Sequence, residues 1–315
     1  MKLKRRIGGL PGVAAVRSAL NMAPPARPKP GDYHKAILPQ DKGGDLIHEL
    51  LEAERPTLVA RIGGFELDCV LHYLKNRCTS RPRPYPEGQR FTMGNNTVFF
   101  PTSDGSLDAF AREYLAAISQ ADVMAVWFNI GEDRVIRQFC PSAQLIPLRA
   151  VEPYYSQKPW SAGLRDRRVL VIHPCAESIR EQYEKSREVL FDDSDVLPPF
   201  ELELIKAVQS QAGEVPPFAT WFQALAAMKM SMDEVDYDVC IVGAGAYGLP
   251  LAAHAKRAGK FAVHMGGATQ ILFGIKGQRW DEHEIISKLY RDSWVRPKAS
   301  ETPRNATAVE GGCYW

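Results

Sequence analysis

Between Asp238 and Asp281 the chain has no acidic residue, although it carries 39 Lys and Arg against 37 Asp and Glu overall. That interval instead holds Lys256, Arg257, Lys260, Lys276 and Arg279, with His254 and His264. A stretch without carboxylates leaves an anion unopposed. Residues 1–31 also lack any acid, while holding Lys2, Lys4, Arg5, Arg6, Arg17, Arg27 and Lys29. The formal net charge is only +2, so the chain as a whole has no pull toward nucleic acid, and none is expected as a partner. No apolar run approaches the ~20 residues that cross a bilayer as a helix. The six cysteines (69, 78, 140, 175, 240 and 313) form no CxxC pair, which argues against a zinc ribbon or a dithiol redox site and fits reduced thiols in a cytoplasmic protein. There are no internal repeats, so a solenoid is excluded.

What is present is ordinary globular material: 315 residues, 45% hydrophobic and 24% charged, enough for a sizeable core. Residues 7–16 are too short and too interrupted by Gly8, Gly9, Pro11 and Gly12 for a signal peptide. Residues 1–31 are therefore read as a basic, flexible tail and linker, either simply solvated or in weak contact with an anionic membrane surface. Residues 32–295 are read as a single α/β catalytic domain. Residues 296–315 are read as a C-terminal tail packing on it.

The acid-free interval has a clear grammar. An apolar run at 239–242 meets Gly243-Ala-Gly245-Ala-Tyr-Gly248, a helical segment follows, and a second apolar run at 261–263 leads to His264 and Gly266-Gly267. Strand, tight turn, helix and strand in this order make a phosphate-binding βαβ unit, with backbone N–H groups at a helix start to receive an anion. The glycines are equally compatible with close helix–strand packing. A dinucleotide enzyme would place an acid about 20 positions after the glycines, at the end of the second strand, to hold the ribose. Here that neighbourhood is Val263-His264-Met265. No NAD or FAD is expected.

Elsewhere, apolar runs at 57–62, 122–128, 143–148 and 168–173 predict strands. Amphipathic stretches at 45–54, 65–75, 107–118, 134–139, 177–190, 218–232 and 282–290 predict helices. Residues 77–101 lack periodicity and predict a long loop or lid. The alternation predicts a doubly wound, mostly parallel, Rossmann-like sheet flanked by helices, with ligands beyond the carboxyl ends of its strands. Three strand ends are expected to converge there: residues 61–66, 173–178 and 243–245.

In Arg61-Ile62-Gly63-Gly64-Phe65-Glu66 an arginine leaves a strand, two glycines turn, and a carboxylate enters the first turn of a helix. The arginine can clamp phosphate bidentately or serve a structural ion pair. Glu66 can hold a cation, sugar hydroxyls or a proton, or pair with its helix dipole. Asn95 and Asn96 offer donor and acceptor in one plane for sugar or base, or allow a turn. Ser178 and Arg180 open a helix after a strand, a natural phosphate position, although Ser178 also suits a cap. His264 is the best-placed histidine for proton transfer, with a core role as the alternative. Lys276 and Arg279 can neutralise a departing anion. Trp280 and Trp315 can stack on a ring or pack.

The strand–Arg-x-Gly-x-x-Glu arrangement, joined to a C-terminal glycine-rich βαβ unit, resembles the GT-D-fold glycosyltransferases of bacterial glycan assembly. The string from His264 to Trp280 is similar to a segment found in that group. The likeness spans roughly residues 40–295. It implies a GT-D-type fold and a cytoplasmic enzyme, peripheral at the inner face of the membrane. Such an enzyme moves a sugar from a nucleoside-diphosphate donor to a glycan or lipid-linked saccharide acceptor. The family motif is RxGDGE, whose acidic pair is linked to donor and metal. Arg61, Gly63 and Glu66 match, and Gly64 stands where the motif has Asp. Asp68 lies about 200° around a helix from Glu66, so the two do not face one ion. The implied sites are Glu66 and His264 for catalysis and Glu66 for metal. Arg61, Gly63, Gly64, Asn95, Asn96, Ser178, Arg180, Gly243, Gly245, Gly248, Gly266, Gly267, Lys276 and Arg279 address the donor. Any Mn²⁺ or Mg²⁺ is expected to be held mainly by the donor diphosphate. The loss of the motif Asp also allows a non-catalytic nucleotide-sugar sensor or scaffold, and a dinucleotide-dependent oxidoreductase is the third reading.

Overall fold

The computed structural model describes residues 26–211, 214–309 and 311–315. Residues 1–25, and the membrane contact read there, lie outside the described residues.

Seven parallel strands form one sheet: β1 (Thr57–Arg61), β2 (Val123–Val126), β3 (Gln144–Pro147), β4 (Arg168–His173), β5 (Glu201–Lys206), β6 (Val239–Val242) and β7 (Phe261–His264). Their order is β3-β2-β1-β7-β6-β4-β5. The chain winds outward from β1 to β3 on one side. It then crosses to β4 and β5 and returns through β6, so that β7 lies against the free side of β1. This is the doubly wound α/β sheet that the alternation predicts. Registers of Arg61 with Ala125, Val242 with His264, and Ile172 with Val242 bring the carboxyl ends of the inner strands to one edge.

The strands read as continuous apolar runs because both faces are covered. Each residue of β6 and β7 is buried. On one face Leu58, Ala60, Met124, Cys240 and Val242 pack under α2 (Gly64–Asn76), α4 (Asp104–Ile118), α7 (Trp221–Asp233) and α8 (Gly248–Arg257). On the other, Val59, Ala125, Val171, Ile241 and Val263 pack under α1 (Gln40–Glu52), α6 (Ala176–Ser186) and the short α9 (Ala268–Leu272). Two helices are locally capped. The Ser103 hydroxyl accepts the Ser106 N–H at the start of α4, and the Thr220 hydroxyl accepts that of Gln223 at the start of α7.

Two expectations are corrected, and one strand is new. The long loop at 77–101 contains α3 (Glu87–Thr97). Its end is pinned over the glycine-rich turn by Phe99, Phe110, Trp221 and Tyr247, the last two stacked at 5.0 Å. The helix at 282–290 shrinks to one turn, α10 (Ile286–Leu289). The strand β5 carries no apolar run: its Glu-Leu-Glu-Leu-Ile-Lys is a charged edge, partly exposed along its length. Between β2 and β3 runs α5 (Glu132–Phe139). Among the described residues no helix is long and apolar enough to cross a membrane.

Gly248 opens α8 directly against the imidazole of His264, where a Cβ would overlap Nε2. Gly248→Ala should therefore cost about 1–3 kcal/mol through overpacking, measured as a lower denaturant midpoint at unchanged slope. An unchanged midpoint would mean that α8 can slide off β7.

Candidate functional site

A cleft of about 810 Å³ opens beyond the carboxyl ends of the strands, bordered by the turns after β1, β2, β3, β4, β6 and β7. Its volume lies in the range of sites for substrates and cofactors. The three expected strand ends do converge: Arg61, Gly63, Gly64 and Glu66 share it with His173 and Cys175 and with Gly243 and Gly245.

Arg61 is central. The register of β1 beside β7 delivers its side chain to the rim, where Nη1 lies 3.4 Å from the carbonyl of Met265. The guanidinium sits 4.5 Å from the centre of the Trp127 ring. A Cβ on Gly266 would lie 2.5 Å from Nη1, so only glycine leaves it room. Arg61 Nε is buried with no hydrogen-bond partner among the described residues. A buried donor with no protein acceptor calls for a water or a ligand acceptor atom.

Trp127 is held by the turn after β2. Its backbone N–H and that of Asn129 donate to the buried Glu132 carboxylate, at 3.0 and 3.3 Å. Tyr33 donates its hydroxyl to the same group at 2.6 Å. Glu132 thus stabilises a turn in which Phe128 has φ of +57°. The turn directs Asn129 at the cleft, where its Nδ2 is buried without a partner among the described residues.

Two carboxylates line the cleft among the described residues, Glu66 and Glu152. Glu66 is 7% exposed and folds back over Gly63 at the start of α2. Burial pushes its carboxyl up, while its own backbone N–H and Arg61 pull it down. Glu152 follows β3 and accepts the Tyr154 hydroxyl at 2.9 Å. Burial pushes it up too, against Tyr154, Arg61 and Arg149. Four arginines, Arg27, Arg61, Arg149 and Arg279, border the same space.

The C-terminal segment forms one wall. Gln270 Nε2 donates to the Tyr314 carbonyl at 2.8 Å, and Arg279 Nη1 meets the Tyr314 hydroxyl at 3.1 Å. The indole N–H of Trp315 donates to the Glu301 carbonyl at 3.2 Å.

Several expected donor residues have other employment. Gly243, Gly245 and Gly248 spend their missing side chains on protein. A Cβ on Gly243 would stand 2.5 Å from the Gly266 carbonyl, and one on Gly245 would stand 3.0 Å from that of Thr97. The end of α3 therefore lies against the turn that opens α8. The start of α6 already holds an anion. The Glu301 carboxylate accepts the N–H groups of Glu177 and Ser178, at 2.7 and 3.2 Å, and the Ser178 hydroxyl. Arg180 lies 3.7 Å from Glu184 along the helix. Asn95 donates to the Ala308 carbonyl at 2.9 Å. The Lys276 ammonium lies over Tyr290, 5.2 Å from its centre. None of Asn95, Ser178, Arg180, Gly248 and Lys276 lines the cleft, whereas Asn96, Gly266, Gly267 and Arg279 do.

His264 borders the cleft but is 4% exposed, and burial, followed by Arg61, lowers its pKa to about 3. Its Nδ1 faces the Arg61 carbonyl at 3.1 Å, so the neutral ring donates there. Its Nε2 lies against Gly248, so both ring nitrogens face protein. The sequence reading passed over Trp127, Asn129, Arg149, Glu152 and His283. The first four follow β2 and β3, and the rule that ligands bind beyond strand ends would have found them there.

Among the described residues no three His, Cys, Asp or Glu side chains gather as a metal set. Asp68 is exposed on α2, away from the buried Glu66.

No protein-family model and no curated protein matches the chain. Two solved structures are similar to it, each at 12% identity with a TM-score of 0.43. One, a selenomethionine-substituted domain of unknown function 1792, is matched over 74% of this chain and 78% of its own. The other, matched over 84% and 92%, carries the statement that this domain "has a distinct glycosyltransferase fold". That is the kind of fold implied by the resemblance at residues 61–66. At this degree of overlap the likeness assigns no residue a role.

Gly64 is the open position. A Cβ there meets only the Asn129 amide, at 4.0 Å. Gly64→Asp should fold normally and bind Mn²⁺ more tightly than the parent, by titration without nucleotide. Micromolar Mn²⁺ binding by the parent itself would show that a cation set forms without the motif Asp.

Proposed function

We infer that the protein is a glycosyltransferase that moves a sugar from a nucleoside-diphosphate donor to a saccharide acceptor. The observation that carries this reading is the Arg61 guanidinium, its Nε buried and without a partner among the described residues, in a cleft that sets four arginines against two carboxylates. A nucleoside-diphosphate sugar needs this mixture. Cations face the diphosphate, flat rings such as Trp127 and Tyr314 can face a base or sugar, and polar side chains such as Asn96, Asn129 and Glu66 can address hydroxyls. Departure of the diphosphate places negative charge where Arg61 and Arg279 stand, so their attraction grows toward the transition state.

In this reading Glu66 addresses the donor sugar, held in place by Gly63 and by its own helix start. A divalent ion, Mn²⁺ or Mg²⁺, would be carried mainly by the diphosphate. The acceptor would be a glycan or lipid-linked saccharide of bacterial surface-glycan assembly, met in the cytoplasm at the inner face of the membrane.

Gly64 supports a second reading. With the motif Asp missing, the cleft would serve as a sensor or scaffold that binds a nucleotide sugar and leaves it intact.

Calorimetric titration with UDP-, GDP-, CMP- and dTDP-sugars tests the common element. At least one should bind, and Arg61→Ala should weaken it by an order of magnitude or more, in line with a charge-assisted bidentate contact. Binding of NAD(H), NADP(H) or FAD with no nucleotide sugar would sink both readings. Turnover then separates them: an enzyme consumes the bound donor, by transfer or by hydrolysis, whereas a sensor leaves it intact.

A further inference from the structure

The transfer reaction needs a group to take the acceptor's proton, and the described residues of the cleft offer few. Each histidine there is committed. His173 Nδ1 accepts the Cys175 N–H at 3.0 Å, and burial lowers its pKa to about 3. His283 Nδ1 accepts the N–H groups of Ile285 and Ile286, both at 3.2 Å. In both rings the neutral form therefore carries its proton on Nε2 and has no free lone pair. His264 donates from Nδ1, and its Nε2 is closed off by Gly248. The Cys175 thiol is pushed well up by burial. Glu66 is folded onto Gly63.

Glu152 differs from all of these. It stands on the rim after β3, across the cleft from the glycine-rich turns. Its segment is rigid: Pro153 follows it, the Trp160 indole N–H holds the Val151 carbonyl at 2.9 Å, and Tyr154 and Tyr155 pack on each other. Among the described residues one hydrogen bond reaches its carboxylate, from the Tyr154 hydroxyl to Oε2. That leaves Oε1 for a substrate hydroxyl. The charged groups that face it are Arg61 from β1 and Arg149 from its own segment. A diphosphate on Arg61 withdraws a cation that holds Glu152 acidic, and so makes the carboxylate a better base once the donor is bound.

We propose that Glu152 is the catalytic base of the transferase, taking the acceptor's proton at Oε1 while Tyr154 fixes Oε2. This rests on the nucleotide-sugar reading above. The acceptor oxygen bonds to the anomeric carbon. The bond from that carbon to the diphosphate breaks, with its electron pair leaving on the diphosphate beside Arg61. The proton passes to Glu152 and then to water. With water as acceptor, the same step is donor hydrolysis.

The test uses the full chain and whichever nucleotide sugar of the calorimetric panel it binds. Donor hydrolysis is followed across pH for the parent, Glu152→Gln, Glu152→Ala and Tyr154→Phe. Glu152→Gln should keep donor affinity and lose about 10²-fold or more in rate. It should also lose the acid limb of the pH profile, which a merely structural role would leave in place. Azide should restore part of the rate to Glu152→Ala. Tyr154→Phe should keep the limb and lose only a modest part of the rate. A Glu152→Gln rate within a small factor of the parent, or an intact acid limb, overturns the role of Glu152 and leaves the transferase reading standing. Loss of donor affinity and rate in parallel makes Glu152 a binding residue and overturns the proposal. If the parent binds no nucleotide sugar, the transferase reading fails and the role of Glu152 fails with it.

Discussion

The imidazole of His264 ties the end of β7 to the carbonyl of Arg61 at the end of β1. These are the two strands that meet where the outgoing and returning halves of the sheet close on each other. With the ring fixed there, several other features become obligatory. Gly248 must lack a side chain, because the ring lies on it. Gly266 must lack one too, because the Arg61 side chain, rooted at the same point, crosses it. The ring must stay neutral, because a second proton would be buried beside the Arg61 cation. A single hydrogen bond between strand ends thus sets the direction of the guanidinium on which the cleft is centred.

The charge arrangement follows. A guanidinium sunk between Trp127 and the Met265 carbonyl is costly unless opposed by negative charge. Glu66 and Glu152 supply that opposition from two sides, and both are partly desolvated themselves. The cleft therefore holds opposed charges in a poorly hydrated space, where an arriving anion and a departing proton change each other's energetics strongly. Glu132 stands outside this balance. It is fully buried but consumed by backbone N–H groups and Tyr33, and its work is to hold Trp127 in place.

Much of this was legible in the sequence. The apolar runs ending in Arg61, His173 and Val242 marked true strands, and the turns after them do meet. The meaning of the glycines was legible only in part. Gly243, Gly245 and Gly248 signal a close approach, but their spacing cannot tell whether a phosphate, a carbonyl or an imidazole approaches. Ser178 showed the opposite limit. It looks like a phosphate site until Glu301, more than a hundred residues later, arrives to fill it. Glu152 was passed over for a third reason. It belongs to no motif, and only its place after the strand predicted at 143–148 marked it as a candidate. The edge strand β5 went unread although its Glu-Leu-Glu-Leu alternates with the period of a half-buried strand.

The floor of the cleft is made of strand ends hydrogen-bonded into one continuous sheet. Such a floor is mechanically stiff, since moving one half against the other would break the β1–β7 ladder. Enclosure of a ligand therefore cannot come from two lobes closing on each other. The walls are fastened to that floor as well: the residues near Tyr314 are held at Gln270, Gln278 and Arg279, the Ala308 carbonyl by Asn95, and Glu301 caps α6.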